Sequence, residues 1–161
     1  MTDPVRAWIG LGANLGDARA ALESAFEALA RLPDSTLARR SSLYRSAPVD
    51  AGGPDYLNAV AALDTTLEPE ALLQALHAIE AQQGRDRPYH HAPRTLDLDL
   101  LLYGERVVHT PRLTVPHPRL HLRAFVLAPL LELQPDLEHP ELGSLRLWLD
   151  RSADQRVERL A

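Results

Sequence analysis

The chain carries two hydrophobic rhythms, one with an apolar residue every third or fourth position and one with an apolar residue every second. Leu22, Phe26, Leu29 and Leu32 recur at helical spacing after Asp17, and Pro33 closes the pattern, which predicts a first helix between them. Leu72, Leu73, Leu76 and Ile79 form a second stripe. Pro69 sits where a first helical turn tolerates it and Gly84 is a natural stop, so a second helix is expected over 69–83. The shorter rhythm marks strands. VRAWIGLG (5–12) is an apolar segment ending in glycines, and YLNAVAALDTT (56–66) alternates, with Leu57, Ala59, Ala61 and Leu63 on one face and Tyr56, Asn58, Val60 and Ala62 on the other. TLARRSSLYR (36–45) is β-permissive and weakly patterned, consistent with an edge strand. RTLDLDLLLY (94–103) supplies a fourth strand.

The order β-α-β-β-α-β predicts an α+β fold, a ferredoxin-like sandwich with an antiparallel sheet. From Gly104 the chain is rich in proline and histidine and is expected to wrap the sheet edge as a C-terminal extension, with a short helix near LRLWLDR (145–151). At 161 residues the chain suits one domain spanning 1–161.

Charge narrows the function classes. With 17 Lys+Arg against 22 Asp+Glu the net charge is -5, which argues against non-specific binding of nucleic acid or an anionic membrane surface. The absence of cysteine excludes disulfides and thiolate metal sites. No apolar run approaches the ~20 residues of a membrane span and the N-terminus lacks a signal pattern, so a cytoplasmic protein is the expectation; a monomer is expected as well.

Two aspartates interrupt the leucines of RTLDLDLLLYG (94–104). Strand alternation sets Leu96, Leu98, Leu100 and Leu102 on one face and Asp97 and Asp99 together on the other, roughly 6.5 to 7 Å apart. Two carboxylates so placed repel unless a cation or basic group relieves them. Magnesium, held by one or two carboxylates plus substrate phosphates, does so; the alternative is an exposed face that the aspartates merely solvate. The preceding loop, GRDRPYHHAPR (84–94), concentrates Arg85, Arg87 and Arg94 in an acidic chain, and arginine forks suit phosphate oxygens. Together these features point to phosphoryl or pyrophosphoryl transfer.

RLTVPHPRLHLRAF (112–125) adds Arg112, Arg119, Arg123, His117 and His121. The prolines do not support helical spacing of the two histidines, so phosphate hydrogen bonding is favoured over zinc. GLGANLGD (10–17) lacks a nucleotide-loop signature, and Gly12 and Gly16 are expected to shape the turn into the first helix. SAPVDAGGPDYLN (46–58) is longer than a hairpin needs, as ligand-binding loops often are. Tyr56 and Asn58 offer a ring and an amide on one face, a pairing able to read a flat heterocycle or simply a strand start.

GLGANLGD, YRSAPVDAGGPDYLNA, IEAQQGR, PRTLDLDLLLYG and LTVPHPRL, in this order and at these spacings, resemble the 6-hydroxymethyl-7,8-dihydropterin pyrophosphokinases of folate biosynthesis. The resemblance covers the chain to about residue 135. It implies two Mg2+ ions and two substrates, ATP and the pterin, with transfer of the β,γ-pyrophosphate to the hydroxymethyl group. By the family's motif Asp97 and Asp99 ligate both metals, Arg85 and Arg94 are the catalytic loop arginines, and Arg87 contacts the nucleotide. Ser46, Ala47 and Val49 fall at the pterin edge, Asn58 reads the ring, and Tyr56 and Phe125 sandwich it. Glu80, Leu100, Arg112, Thr114, His117 and Arg123 align with ATP-binding positions. His91, Ala47 and His77 depart from the usual tryptophan, proline and glutamine, which bears on adenine-side contacts and loop closure.

Three rivals are weighed against this reading. An RNA-binding module needs sheet aromatics beside a basic surface, whereas this chain has 2 Phe, 4 Tyr and 2 Trp and is acidic. A non-catalytic binding domain would be expected to have lost the carboxylates or loop arginines. Another two-metal phosphotransferase on the same scaffold differs in its product.

Overall fold

The computed structural model describes residues 3–13, 17–47, 55–84 and 96–160. β1 (Val5–Ala13) leads into α1 (Ala18–Ala30), whose first turn is capped by the Asp17 carboxylate accepting the Ala20 N–H at 3.0 Å. β2 (Ser35–Arg40), β3 (Tyr44–Ser46), β4 (Tyr56–Thr65), α2 (Pro69–Gly84) and β5 (Asp97–Tyr103) complete the expected β-α-β-β-α-β order. The expected edge strand over 36–45 is two strands: at the break the Ser41 N–H still donates to the Val60 carbonyl at 2.9 Å, but the Ser41 hydroxyl takes the Val60 N–H at 2.8 Å in place of a backbone carbonyl.

Both pieces pair with β4. The sheet order is β5, β1, β4, β3, with β2 also on β4, and the pairings are antiparallel. α1 and α2 bury one face, where Ile9, Leu11, Phe26, Leu63, Leu76 and Leu98 belong to a single core. Among the described residues no helix is long and apolar enough to cross a membrane.

The C-terminal part continues as β6 (Val108–His109), β7 (Thr114–Val115), a 3-10 turn (Leu120–Leu122), α3 (Ala124–Leu133), β8 (Glu138–His139), β9 (Gly143–Ser144), α4 (Leu145–Arg151) and β10 (Val157–Arg159). The helix expected at 145–151 forms as α4. Edge wrapping occurs at both ends of the sheet: β10 adds beside β3, and the segment after β7 bonds to β5 through the His117 N–H and the Leu101 carbonyl. The remainder lies over the second sheet face, where Leu120, Leu127, Leu130, Leu133 and Leu145 pack on Trp8, Val60 and Leu101. The apolar residues of α3 carried that instruction, but Pro129 within it reads as a helix breaker. Its missing N–H costs the bond that the Phe125 carbonyl would take, and burial of the leucines around it offsets that loss.

The leucine face of β5 also differs from simple alternation. Leu96, Leu98 and Leu100 join the α1/α2 core, whereas Leu102 joins the opposite core with Leu101. A β-bulge is the reason: Ile9 pairs with Leu100 and Trp8 with Leu102, so Leu101 is an extra residue that resets the alternation.

Glu132 of α3 ties the C-terminal layer to the sheet. Its carboxylate accepts the Ser42 N–H at 3.0 Å, the Ser42 hydroxyl at 3.1 Å and the Tyr44 hydroxyl at 2.8 Å, and lies 3.5 Å from the Arg159 guanidinium. Burial and donation to this carboxylate raise the Tyr44 pKa above its usual value. Glu132→Ala strands these donors, and the expected cost is about 2–3 kcal/mol. In urea denaturation the midpoint should fall with unchanged slope; an unmoved midpoint would show that the network does not hold the layer.

Candidate active site

The second sheet face is divided along its length. At one end Trp8, Val60, Ala62, Leu101 and Leu102 are covered by α3 and its neighbours. At the other end the same face carries Gly10, Gly12, Tyr56, Asn58, Asp97 and Asp99. Register places these in rows: Asn58 pairs with Gly12 and Gly12 with Asp97, while Val60 pairs with Gly10 and Gly10 with Asp99. With strands about 4.8 Å apart, Asn58 and Asp97 face each other across roughly 10 Å of sheet floored by glycine. Gly12 was expected in a turn and instead lies inside β1. Glycines at alternate strand positions mark a close approach to the backbone, and their register opposite Asp97 and Asp99 was the signal that a lone sequence does not display. Gly16 lies outside the described residues.

Asp97 and Asp99 are exposed on β5 between the buried Leu96, Leu98 and Leu100. Glu80 of α2 fixes that strand by accepting the Leu98 N–H at 2.8 Å, on the strand edge away from β1. A segment after β7 closes the outer side: the His117 N–H donates to the Leu101 carbonyl at 2.9 Å. This brings His117 Nε2 to 4.0 Å from Asp99 Oδ1. His117 Nδ1 accepts the Arg119 N–H at 3.2 Å, so the neutral ring carries its proton on Nε2, toward Asp99. Burial lowers the His117 pKa; Asp99 opposes this and Arg123 and Arg119 reinforce it. His121 stands apart, packed edge-on against Trp148 with ring centroids 4.6 Å apart.

On the far side of the floor, Asn58 is buried and its Nδ2 donates to the Ser46 hydroxyl at 2.7 Å. Its Oδ1 therefore faces the glycine floor, 3.5 Å from where a Gly12 Cβ would stand. An acceptor aimed over a flat, side-chain-free surface suits a planar ring that presents N–H groups. Tyr56 begins β4 opposite Ser46. Ser46, Ala47 and Phe125 line a cavity of ≈ 500 Å³ together with Arg119, Leu122, Arg123, Gln155, Arg156 and Val157. The Arg123 guanidinium lies 5.5 Å from the Phe125 ring centroid, within cation-π range.

The remaining predicted residues are dispersed. Thr114 lies in β7 and Arg112 in the exposed turn before it. The Leu100 side chain is 3% exposed within the α1/α2 core, so it takes no part in the open face. Val49, Arg85, Arg87, Arg94 and His91 lie outside the described residues. Gln155, Arg156 and Val157 were not anticipated, because their segment carries no local motif and reaches the cavity only through β10.

The carboxylate pair fits magnesium rather than a closed protein cage. Among the described residues no group of three or more His, Cys, Asp or Glu is placed to hold a metal. Two exposed carboxylates on a bare floor leave the other positions to water and phosphate oxygens, the coordination that magnesium prefers.

A family model described as 7,8-dihydro-6-hydroxymethylpterin-pyrophosphokinase matches residues 8–135. The 2-amino-4-hydroxy-6-hydroxymethyldihydropteridine pyrophosphokinase of Pseudomonas aeruginosa is 47% identical over 156 residues, covering 96% of this chain and 96% of its own. The enzyme of the same name from Haemophilus influenzae is 40% identical, covering 97% and 98%. A crystal structure of the Plasmodium falciparum HPPK-DHPS wild type superposes with a TM-score of 0.77 at 13% identity, over 96% of this chain and 45% of that one. The chain thus spans under half of that longer protein, and the likeness shows the fold. Nearly end-to-end similarity to the bacterial pyrophosphokinases and the match over residues 8–135 establish that this chain belongs to the 7,8-dihydro-6-hydroxymethylpterin pyrophosphokinase family.

Proposed function

We propose that the chain, as one domain, transfers the β,γ-pyrophosphoryl group of ATP to the hydroxymethyl oxygen of 6-hydroxymethyl-7,8-dihydropterin and releases AMP. The observation that carries this is the facing of Asp97 and Asp99 with Asn58 across the Gly10/Gly12 floor. A ring read at Asn58 and phosphates gathered at the aspartates meet in the middle of that floor. The hydroxymethyl oxygen attacks the β-phosphorus, the bond from that phosphorus to the α,β-bridging oxygen breaks, AMP leaves with the oxygen, and the hydroxyl proton is released.

Asp97 and Asp99 hold two Mg2+ ions, which when bound neutralise charge on the triphosphate. Asn58 Oδ1 orients the pterin by accepting from its ring N–H, and the Ser46 hydroxyl fixes which amide atom faces the ring. Tyr56 and Phe125 supply the aromatic faces, with Ala47 and Val49 at the ring edge. His117 offers an Nε2–H donor to a phosphate oxygen, and Arg123, Arg112 and Thr114 extend the nucleotide side. Glu80 secures β5 beneath the nucleotide, and Leu100 contributes backbone alone. Arg85 and Arg94 supply guanidinium donors to the transferring group, and Arg87 contacts the nucleotide. Such transfers need positioning and charge stabilisation more than proton chemistry, which agrees with a site where, among the described residues, no side chain stands out as a general base.

The reaction is tested by following nucleotide products by chromatography in ATP, magnesium and the pterin. AMP that forms only with pterin present supports pyrophosphoryl transfer; ADP would establish a single-phosphate kinase instead. Asp97→Ala and Asp99→Ala should each abolish turnover while leaving the thermal midpoint in place, because both side chains are exposed. Full activity in either variant would remove the metal assignment.

His117 adds a pH dependence in the metal-free, ligand-free protein. Its folded pKa lies below the ordinary value of 6.5, so below that value the unfolded chain binds the proton more readily and stability falls as pH drops. In His117→Asn, whose amide oxygen can keep the Arg119 N–H, the loss between neutrality and mildly acid pH should shrink. Equal losses in both proteins would exclude His117 as the source.

A further inference from the structure

The segment after α4 touches both walls of the cavity that contains Ser46 and Phe125. On one wall β10 pairs with β3, placing Val157 opposite Ser46. On the other, the Gln155 side chain grips the backbone on either side of Arg123. Its Nε2 donates to the Leu122 carbonyl at 2.8 Å, and its Oε1 accepts the Ala124 N–H at 2.9 Å. Ala124 opens α3, and Arg123 before it provides no side-chain cap. Gln155 therefore supplies from a distant segment the acceptor that a helix start requires.

The grip falls on the junction between two helical segments. Arg123 is extended, at φ -123 and ψ 110, between the 3-10 turn and α3, so its conformation sets the direction in which Arg123 and Phe125 leave the C-terminal layer. The clamp is itself anchored on α4. The Gln155 N–H donates to the Ser152 carbonyl at 3.0 Å, and the Ser152 hydroxyl donates to the Trp148 carbonyl at 3.0 Å.

We propose that Gln155 is a positioning residue for both substrates: by clamping the Leu122 and Ala124 peptides it sets Arg123 and Phe125 against the Ser46 wall that β10 holds. The assignment lies beyond residues 8–135, the part matched by the family. It rests on the reading of Arg123 as a nucleotide contact and Phe125 as a pterin contact. Loss of the clamp leaves the aspartates in place, so it weakens substrate capture and spares the chemical step.

The test uses the full chain and steady-state kinetics for both substrates. Gln155→Met keeps the side-chain length and loses both hydrogen bonds. KM for the pterin and for ATP should rise about three- to tenfold, as expected for two partly exposed hydrogen bonds, with kcat within about twofold. Gln155→Glu keeps the acceptor for the Ala124 N–H and loses the donor to Leu122, so its KM values should fall between wild type and Gln155→Met. Should Gln155→Met fail to accumulate, the Glu variant alone decides: a raised KM with kcat preserved supports the clamp. Unmoved KM values, or a fall in kcat alone, overturn it. Arg123→Ala and Phe125→Ala run in the same assay separate the two readings. If they raise KM while the Gln155 variants do not, the clamp fails and the site stands. If they too leave KM unchanged, the site reading fails and takes the clamp with it.

Discussion

Between the pairs Ile9–Leu100 and Trp8–Leu102, β5 holds one residue more than β1, and the division of the second sheet face turns on that residue. Before the bulge, β5 gives this face Asp97 and Asp99; after it, the face receives Leu101 and Leu102 together. A strand with strict alternation would have sent Leu102 to the α1/α2 side and thinned the apolar patch that α3 covers. The bulge lets one strand serve a bare polar floor and a packed core on the same side. It also sets where the C-terminal layer must stop, because the layer is held by burial on Trp8, Leu101 and their neighbours and has nothing apolar to grip beyond them.

The floor is shaped by what is missing from it. Gly10 and Gly12 separate Val60 and Asn58 from the aspartates, and any larger residue at these positions would place a side chain on the floor between them. A Cβ at Gly10 would come within 3.3 Å of the Leu101 side chain, so Gly10 also fits the bulge. The carboxylates gather at the β5 edge beside His117, and Arg119 and Arg123, which line the cavity with Arg156, are near enough to act on that histidine. Charge in this acidic chain is therefore local, with guanidinium groups and a carboxylate pair grouped around one sheet face.

The C-terminal layer is held by a few directional bonds as much as by leucine burial. Glu132 fastens α3 to the turn before β3, the Arg39 guanidinium donates to the Leu133 carbonyl at the end of α3, and Gln155 caps its start. These bonds matter to the site because β3 carries Ser46 and α3 carries Phe125. Helix α3 is thus both the lid of a core and one wall of a cavity.

Local pattern carried the architecture a long way. The two helices, the strand over 56–65 and the acid pair were legible because helical and strand periods are properties of consecutive residues. The motif blocks named the family for the same reason, since each is contiguous. What pattern alone did not reveal depended on neighbours distant in the chain. Leu102 changed face because β1 pairs with β5 out of step, and no feature of LDLLLY announces a bulge. Helix α3 was hidden by Pro129, whose local cost is offset only by burial against strands that lie far away in sequence. Gly12 read as a turn residue until its register with Asn58 and Asp97 made it a floor. The sequence by itself determined which chemical groups this protein possesses and the elements that carry them. Only the tertiary structure decided which of those groups share a surface, because strand register and layer packing are set by contacts between segments that have no local signature.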